Sequence, residues 1–317
     1  NIGGFYTPGE NRIFIVTNTR VGGLEYLVYS HEYDHALVDQ HFKIKDMGVY
    51  PECQHDAQQC QALEALFEGD ATLLMELWAK QFFTEKDYMD AISGITPFYE
   101  ATDEAYPPYL TQDSAFSYLF GREFVYNYYK SGQWAAVDRL YARPPVSTEQ
   151  ILHFEKYNDN ELPIDLPDAE LGVILGENWE KIQSDVLGEW MTYLLLAYNA
   201  DLQSQIDPQL ARNAAAGWGG DHYQVFKNKA DGSKILAAHW VWDRDYDAAE
   251  FFSAMRSSLE NRFRGNHIDG LGSREKCWQV AENYSCLYLK GKDVLWLLSP
   301  QKNQLEIMLE GYPDFVQ

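Results

Sequence analysis

The sequence predicts an α+β protein in two parts, a mainly helical domain over residues 1–200 and an accessory α+β domain over residues 201–317. Three observations carry this expectation. Apolar residues recur at helical spacing through most of residues 24–157. At Gly217-Trp218-Gly219-Gly220-Asp221 the composition changes, and apolar and polar residues alternate beyond it. The elements past that point read β-β-α-β-β-β, a small sheet with a helix laid on it.

The elements follow in order. Gly3-Gly4-Phe5 opens on a strand, and Arg12-Ile13-Phe14-Ile15-Val16-Thr17 reads as a second, short and buried. Gly22-Gly23 breaks the chain ahead of a helix on which Leu24, Val28, His31, His35, Val38 and Phe42 share one stripe. An irregular stretch carries Pro51, Cys53, His55 and Cys60, and residues 57–83 read as a long helix with Leu63, Leu66, Leu73 and Leu77 turned inward. Asp113 is placed to cap a helix from Ser114 to Lys130, dense in Phe and Tyr and ended by Gly132. Residues 134–141 form a short helix stopped by Pro144-Pro145, and Ser147-Thr148-Glu149-Gln150 reads as another helix start. Residues 158–168 are polar with two prolines and read as a connector, and residues 179–199 read as one helix. In the last third, residues 223–226 and 235–242 form a hairpin about Asp231-Gly232, residues 247–263 an amphipathic helix, and residues 278–280, 285–289 and 294–298 three strands. From Gln304 a last helix or tail closes the chain.

Composition narrows the function classes. The 317 residues are 46% hydrophobic and 15% aromatic, enough for a substantial core. A formal net charge of −23 argues against nucleic acid and anionic membrane surfaces, which both call for basic patches. No apolar run reaches membrane-spanning length; residues 191–197 are too short. The four cysteines fall into two close pairs, Cys53 with Cys60 and Cys277 with Cys286, neither in C-x-x-C form. Two local disulfides are therefore expected, and with them an extracytoplasmic protein, secreted or in the cell envelope, whose leader is absent from this chain.

The chemistry centres on His31-Glu32-Tyr33-Asp34-His35. Histidines at i and i+4 lie one above the other on a helix, so both imidazoles can reach one metal ion, and the glutamate between them is placed to take a proton from a water activated there. Imidazoles on a buried stripe need a metal or a hydrogen bond to offset desolvation. A catalytic zinc site also needs a third protein ligand and an open position. The best source is Glu64 and Glu68, one turn apart on the next long helix. Glu68 is preferred, because Gly69 beside it would let the histidine helix approach closely and Asp70 is available to support the ligands.

His31–His35 followed by Glu68-Gly69-Asp70-Ala71 resembles the gluzincin layout of zinc metallopeptidases. More specifically, HEYDHALVDQHF at 31–42, ALFEGDATLLM at 65–75, GQWAAVDRLYARPPVSTEQILHFEKY at 132–157 and GWGGDHY at 217–223 are similar to an uncharacterised family of bacterial and archaeal proteins assigned as HExxH zinc metallopeptidases. The resemblance implies a zincin-like metallopeptidase domain, Zn2+ bound by His31, His35 and Glu68, and Glu32 as catalytic base; it supplies no substrate. There are departures. Gluzincins often carry an acidic residue four positions after the ligand glutamate, and here that position is Thr72. With Glu64 as ligand, Glu68 would fill that place, so the register stays open. Asp34 stands where a neutral residue is common; it is expected to point away from the metal while disfavouring anionic substrates.

The expected function is therefore hydrolysis of peptide bonds in a peptide or protein substrate. His153, with Tyr157 second, is the candidate donor to the oxyanion. His41 and His55 read as solvated or supporting groups, and His222, His239 and His267 receive no role. Tryptophans 218, 240, 242, 278 and 296 read as core before binding face, and the glycines at 217–220 as structural. Two other classes stand beside this reading: a non-catalytic secreted or envelope binding protein with a structural zinc site, and a zinc hydrolase of non-peptide amides or esters.

Overall fold

The first half of the chain places one hairpin against a set of helices. β1 (Gly4–Thr7) pairs antiparallel with β2 (Arg12–Ile15), and α1 (Gly23–Phe42), α2 (Ala57–Phe82), α3 (Glu85–Thr102), α4 (Pro108–Gly132), α5 (Trp134–Ala142), α6 (Thr148–Leu152) and α7 (Phe154–Asn158) follow. The computed structural model describes residues 3–17, 21–102, 106–268 and 275–316. Caps explain several helix starts. The Gly22 N–H donates to the Glu25 carboxylate at 2.8 Å, Asp56 accepts from the Gln59 N–H at 2.8 Å, and Ser147 accepts from the Gln150 N–H at 3.1 Å. α4 begins at Pro108, a turn and a half before the expected Asp113 cap; proline suits a first helical position, and Asp113 instead accepts a hydrogen bond from Gln61 of α2.

The second half runs α8 (Leu171–Leu175), β3 (Trp179–Asp185), α9 (Gly188–Ala197), α10 (Pro208–Ala215), β4 (Trp218–Asn228), β5 (Lys234–Trp242), α11 (Asp245–Arg262), β6 (His267–Ile268), β7 (Glu275–Val280), β8 (Asn283–Lys290), β9 (Asp293–Ser299) and α12 (Lys302–Leu309). Seven strands make one antiparallel sheet in the order β3-β4-β5-β9-β8-β7-β6. Alternate residues of β5 serve opposite faces. Ile235 and Ala237 join Leu305 and Met308 of α12 and Leu171 of α8 on one side, and Trp240 and Trp242 pack on Phe251 of α11 on the other, with ring centroids 5.0 and 4.7 Å apart. A sheet covered on both faces buries consecutive residues, which is why β9 reads as an unbroken apolar run.

The fold is thus mixed α and β, with the helices concentrated in the first half and a seven-stranded antiparallel sheet in the second. Two features differ from expectation. The stretch read as one helix over 179–199 is a strand followed by a helix. Gly188, at φ +74°, breaks it, and the charged, exposed β3 is held as an edge strand by pairing with β4 from Trp179↔Asn228 to Asp185↔Tyr223. The compact units divide into Asn1–Glu161 and Leu162–Gln317. The expected boundary at 200/201 would have separated β3 and α9 from the sheet they pack on.

Both expected disulfides form. Cys277 and Cys286 are direct cross-strand partners on β7 and β8, and Cys53–Cys60 ties the irregular stretch to the first turn of α2. Among the described residues no helix is long and apolar enough to cross a membrane.

Candidate metal centre

α1 and α2 bring together three of the expected residues. Nε2 of His31 lies 3.0 Å from Oε2 of Glu68, Nε2 of His35 lies 3.1 Å from Nε2 of His31, and Nε2 of His35 lies 3.6 Å from Oε1 of Glu68. The imidazole planes stand nearly perpendicular, at 89°. The His31 Nε2 has one proton or one lone pair to offer and cannot serve both the His35 Nε2 and the Glu68 oxygen, whereas a divalent ion would satisfy both nitrogens and the carboxylate together. The donor set therefore fits zinc. Glu68, not Glu64, joins the histidines.

Glu68 sits where burial would raise its pKa, but the hydrogen bond with His31 and the nearby His35 imidazole outweigh that and hold it down to about 2. Burial lowers the His35 pKa, yet hydrogen bonding and the charges of Glu68, Glu32 and Asp34 leave it raised. Glu32 is buried, and that burial raises its carboxyl against the pull of His35 and His31. Tyr6 of β1 lines the same cavity, and its backbone pulls the carboxyl weakly the other way.

A cavity of about 550 Å³ opens on this group, lined among others by Glu32, Glu64, Glu68, Tyr6, Phe67 and Tyr118. Glu64 is crowded by its walls and raised, first by burial and then by the charges of Glu68 and Asp113. The Cys53–Cys60 disulfide forms another part of the wall. Tyr118, from α4, lines the cavity with Glu68, and its ring lies 6.1 Å from that of His31. Burial and the surrounding carboxylates push its hydroxyl well above the usual tyrosine range, so it stays a donor.

Behind His31, His35 and Glu68 lies a second set of acids. Asp70 accepts from the Tyr141 hydroxyl at 2.6 Å, and Tyr141 stacks on Phe42 of α1 at 4.3 Å. Burial raises Asp70 despite that hydrogen bond, and burial followed by the charge of Asp70 raises Asp34. Asp34 is buried and does not line the cavity, so it cannot screen substrates as expected.

Other expectations shift. Gly69 does face a close helix contact, but with α4, not α1: a Cβ there would lie 2.3 Å from the Gly121 carbonyl, and one on Gly121 would lie 2.0 Å from the Ala65 oxygen. Neither His153 nor Tyr157 lines the cavity. His153 joins α6 to α7, 3.9 Å from the Glu155 carboxylate, and the Tyr157 hydroxyl donates to the Arg143 carbonyl at 2.6 Å. His41 and His55 also lie outside the lining; His55 bonds the Met47 carbonyl. In the second unit His222 meets Ser184, and His239 meets Asp293. The five tryptophans are core, none more than 4% exposed. The glycine turn is structural: Gly217 has φ +79°, and a Cβ on Gly220 would sit 2.2 Å from the Ile164 oxygen. Tyr118 and Tyr6, both on the cavity wall, are not legible in the sequence, since no spacing ties either to the histidines.

A family model described as a Domain of unknown function (DUF8575) matches residues 177–308, from just before β3 into α12. The match lies within the second unit and leaves His31, His35 and Glu68 outside it. No curated protein and no solved structure matches the chain.

Proposed function

We propose that the chain is a zinc-dependent peptidase, gluzincin-like in its ligands, with His31, His35 and Glu68 holding the ion. The observation that carries this is the meeting of the HExxH imidazoles with a carboxylate from a second helix at the edge of an open cavity. Bound zinc would supply a Lewis acid that polarises a carbonyl and brings the pKa of water to about 7. Glu32, on the cavity wall and raised by burial, accepts the proton of the attacking water and delivers it to the leaving amine. Tyr118 takes the oxyanion-donor role, because its hydroxyl stays protonated on the cavity wall. The cavity favours a catalytic over a structural zinc, since structural sites close all four positions with protein ligands. The two disulfides support an extracytoplasmic location.

The test combines metal content with turnover. Purified protein should carry about one zinc per chain, and a peptide library should be cleaved by wild type but not after chelation. A metal-free preparation that cannot be loaded with zinc would remove the proposal. Cleavage of esters or non-peptide amides without any peptide would keep the centre and replace the substrate.

A further inference from the structure

A second cavity, of about 390 Å³, lies in the first unit between α4, α5 and the residues of α7. It is walled by Tyr128, Ser131, Arg139, Arg143, Tyr157 and Asn158, with Leu140 and Ala136 beneath, and no carboxylate lines it. That is unusual in a chain with 48 acidic residues to 25 Lys and Arg. Neither arginine forms an ion pair among the described residues. Arg139 spends one donor, Nη1, on the Ala135 carbonyl of its own helix at 2.8 Å. Arg143 sits over the Tyr157 ring, its Cζ 4.4 Å from the centroid, with Nη2 donating to the Tyr157 carbonyl at 3.0 Å and Nη1 to Oδ1 of Asn160 at 3.5 Å. A guanidinium has five N–H donors, so both keep several for a ligand. The Tyr128 hydroxyl donates to Oδ1 of Asn158 at 2.8 Å, which leaves the Asn158 NH2 to donate as well.

We propose that this cavity binds a phosphate group, free or as a small phosphomonoester, between Arg139 and Arg143. Two unpaired guanidinium charges match a dianion better than a single carboxylate, and phosphate carries about −1.5 to −2 at pH 7. The volume exceeds a bare phosphate and leaves room for a short organic body against Leu140. A net charge of −23 repels anions at a distance, so the binding is local, unsteered and sensitive to salt.

The experiment is calorimetric titration of the full chain at low ionic strength with inorganic phosphate and, separately, glycerol 3-phosphate. Wild type should bind saturably, and Arg139→Ala should weaken binding about fivefold or more, with Arg139→Lys in between. Arg139 bonds only within its own helix, so its removal should leave the circular dichroism spectrum unchanged. Arg143→Lys, which keeps the charge and loses the fork, is the second variant and should weaken binding too. Tighter binding of glycerol 3-phosphate identifies an organic phosphate; equal binding identifies free phosphate. Absence of saturation up to about 10 mM of either, or a smaller loss in Arg139→Ala, overturns the proposal.

Discussion

Buried aspartates serve opposite ends in the two units. In the second, Asp221 accepts the Leu187 and Gly188 N–H groups and the Trp218 indole N–H, each at 2.8 Å, so its charge is met by donors and fixes the start of α9. In the first, Oδ2 of Asp34 and Oδ1 of Asp70 are buried without a hydrogen-bond partner, and each carboxyl is raised. A carboxylate with three donors is a clamp, and its desolvation is offset where it stands. Two under-satisfied carboxyls behind a pair of histidines are costly on their own account. Burial alone does not mark a functional acid; the balance of donors around it does.

Substitutions can break or sharpen that contrast. The largest effect is expected from Glu32→Gln, which should lower kcat/KM by about 10²–10⁴-fold while zinc content stays unchanged; retained turnover would remove the glutamate from the chemistry. Glu68→Ala should shed zinc on dialysis where Glu64→Ala retains it, measured as metal per chain, and the reverse ranking would move the ligand one turn. Tyr141→Phe deprives Asp70 of its donor. It should cost about 1–3 kcal/mol in denaturant unfolding and weaken zinc binding about tenfold or more. Trp218→Phe is the counterpart in the second unit. Two donors to Asp221 remain, but the indole is fully buried and its loss leaves a cavity, so the cost should be about 1–3 kcal/mol with zinc affinity unchanged. Equal effects of these last two on zinc would erase the distinction between the aspartates.

What the sequence revealed was what local geometry dictates. His31 and His35 are one turn apart on any helix, and Glu68 stands out because the long helix carrying it is strongly periodic. The tryptophan strands were legible as core from their alternation, and both cysteine pairs from their spacing. Tyr118 was not, because it reaches Glu68 only through the packing of α4 on α2. The strand at 179–185 was hidden for a related reason: its neighbour β4, not its composition, makes it a strand. His153 and Tyr157 were chosen for their chemistry alone, and nothing in their spacing said which cavity they would face.

The backbone contact between Gly69 and Gly121 sets a mechanical condition on the first unit. With no side chain at that junction the two backbones touch, so a larger residue at either glycine would part α2 and α4, the helices that carry Glu68 and Tyr118. Any widening of the cavity to admit a bulkier guest must then come from the opposite rim, where β1 and the segment closed by Cys53–Cys60 meet it. Engineering a larger guest into this protein therefore starts at Phe5 and Tyr50, not at the glycines.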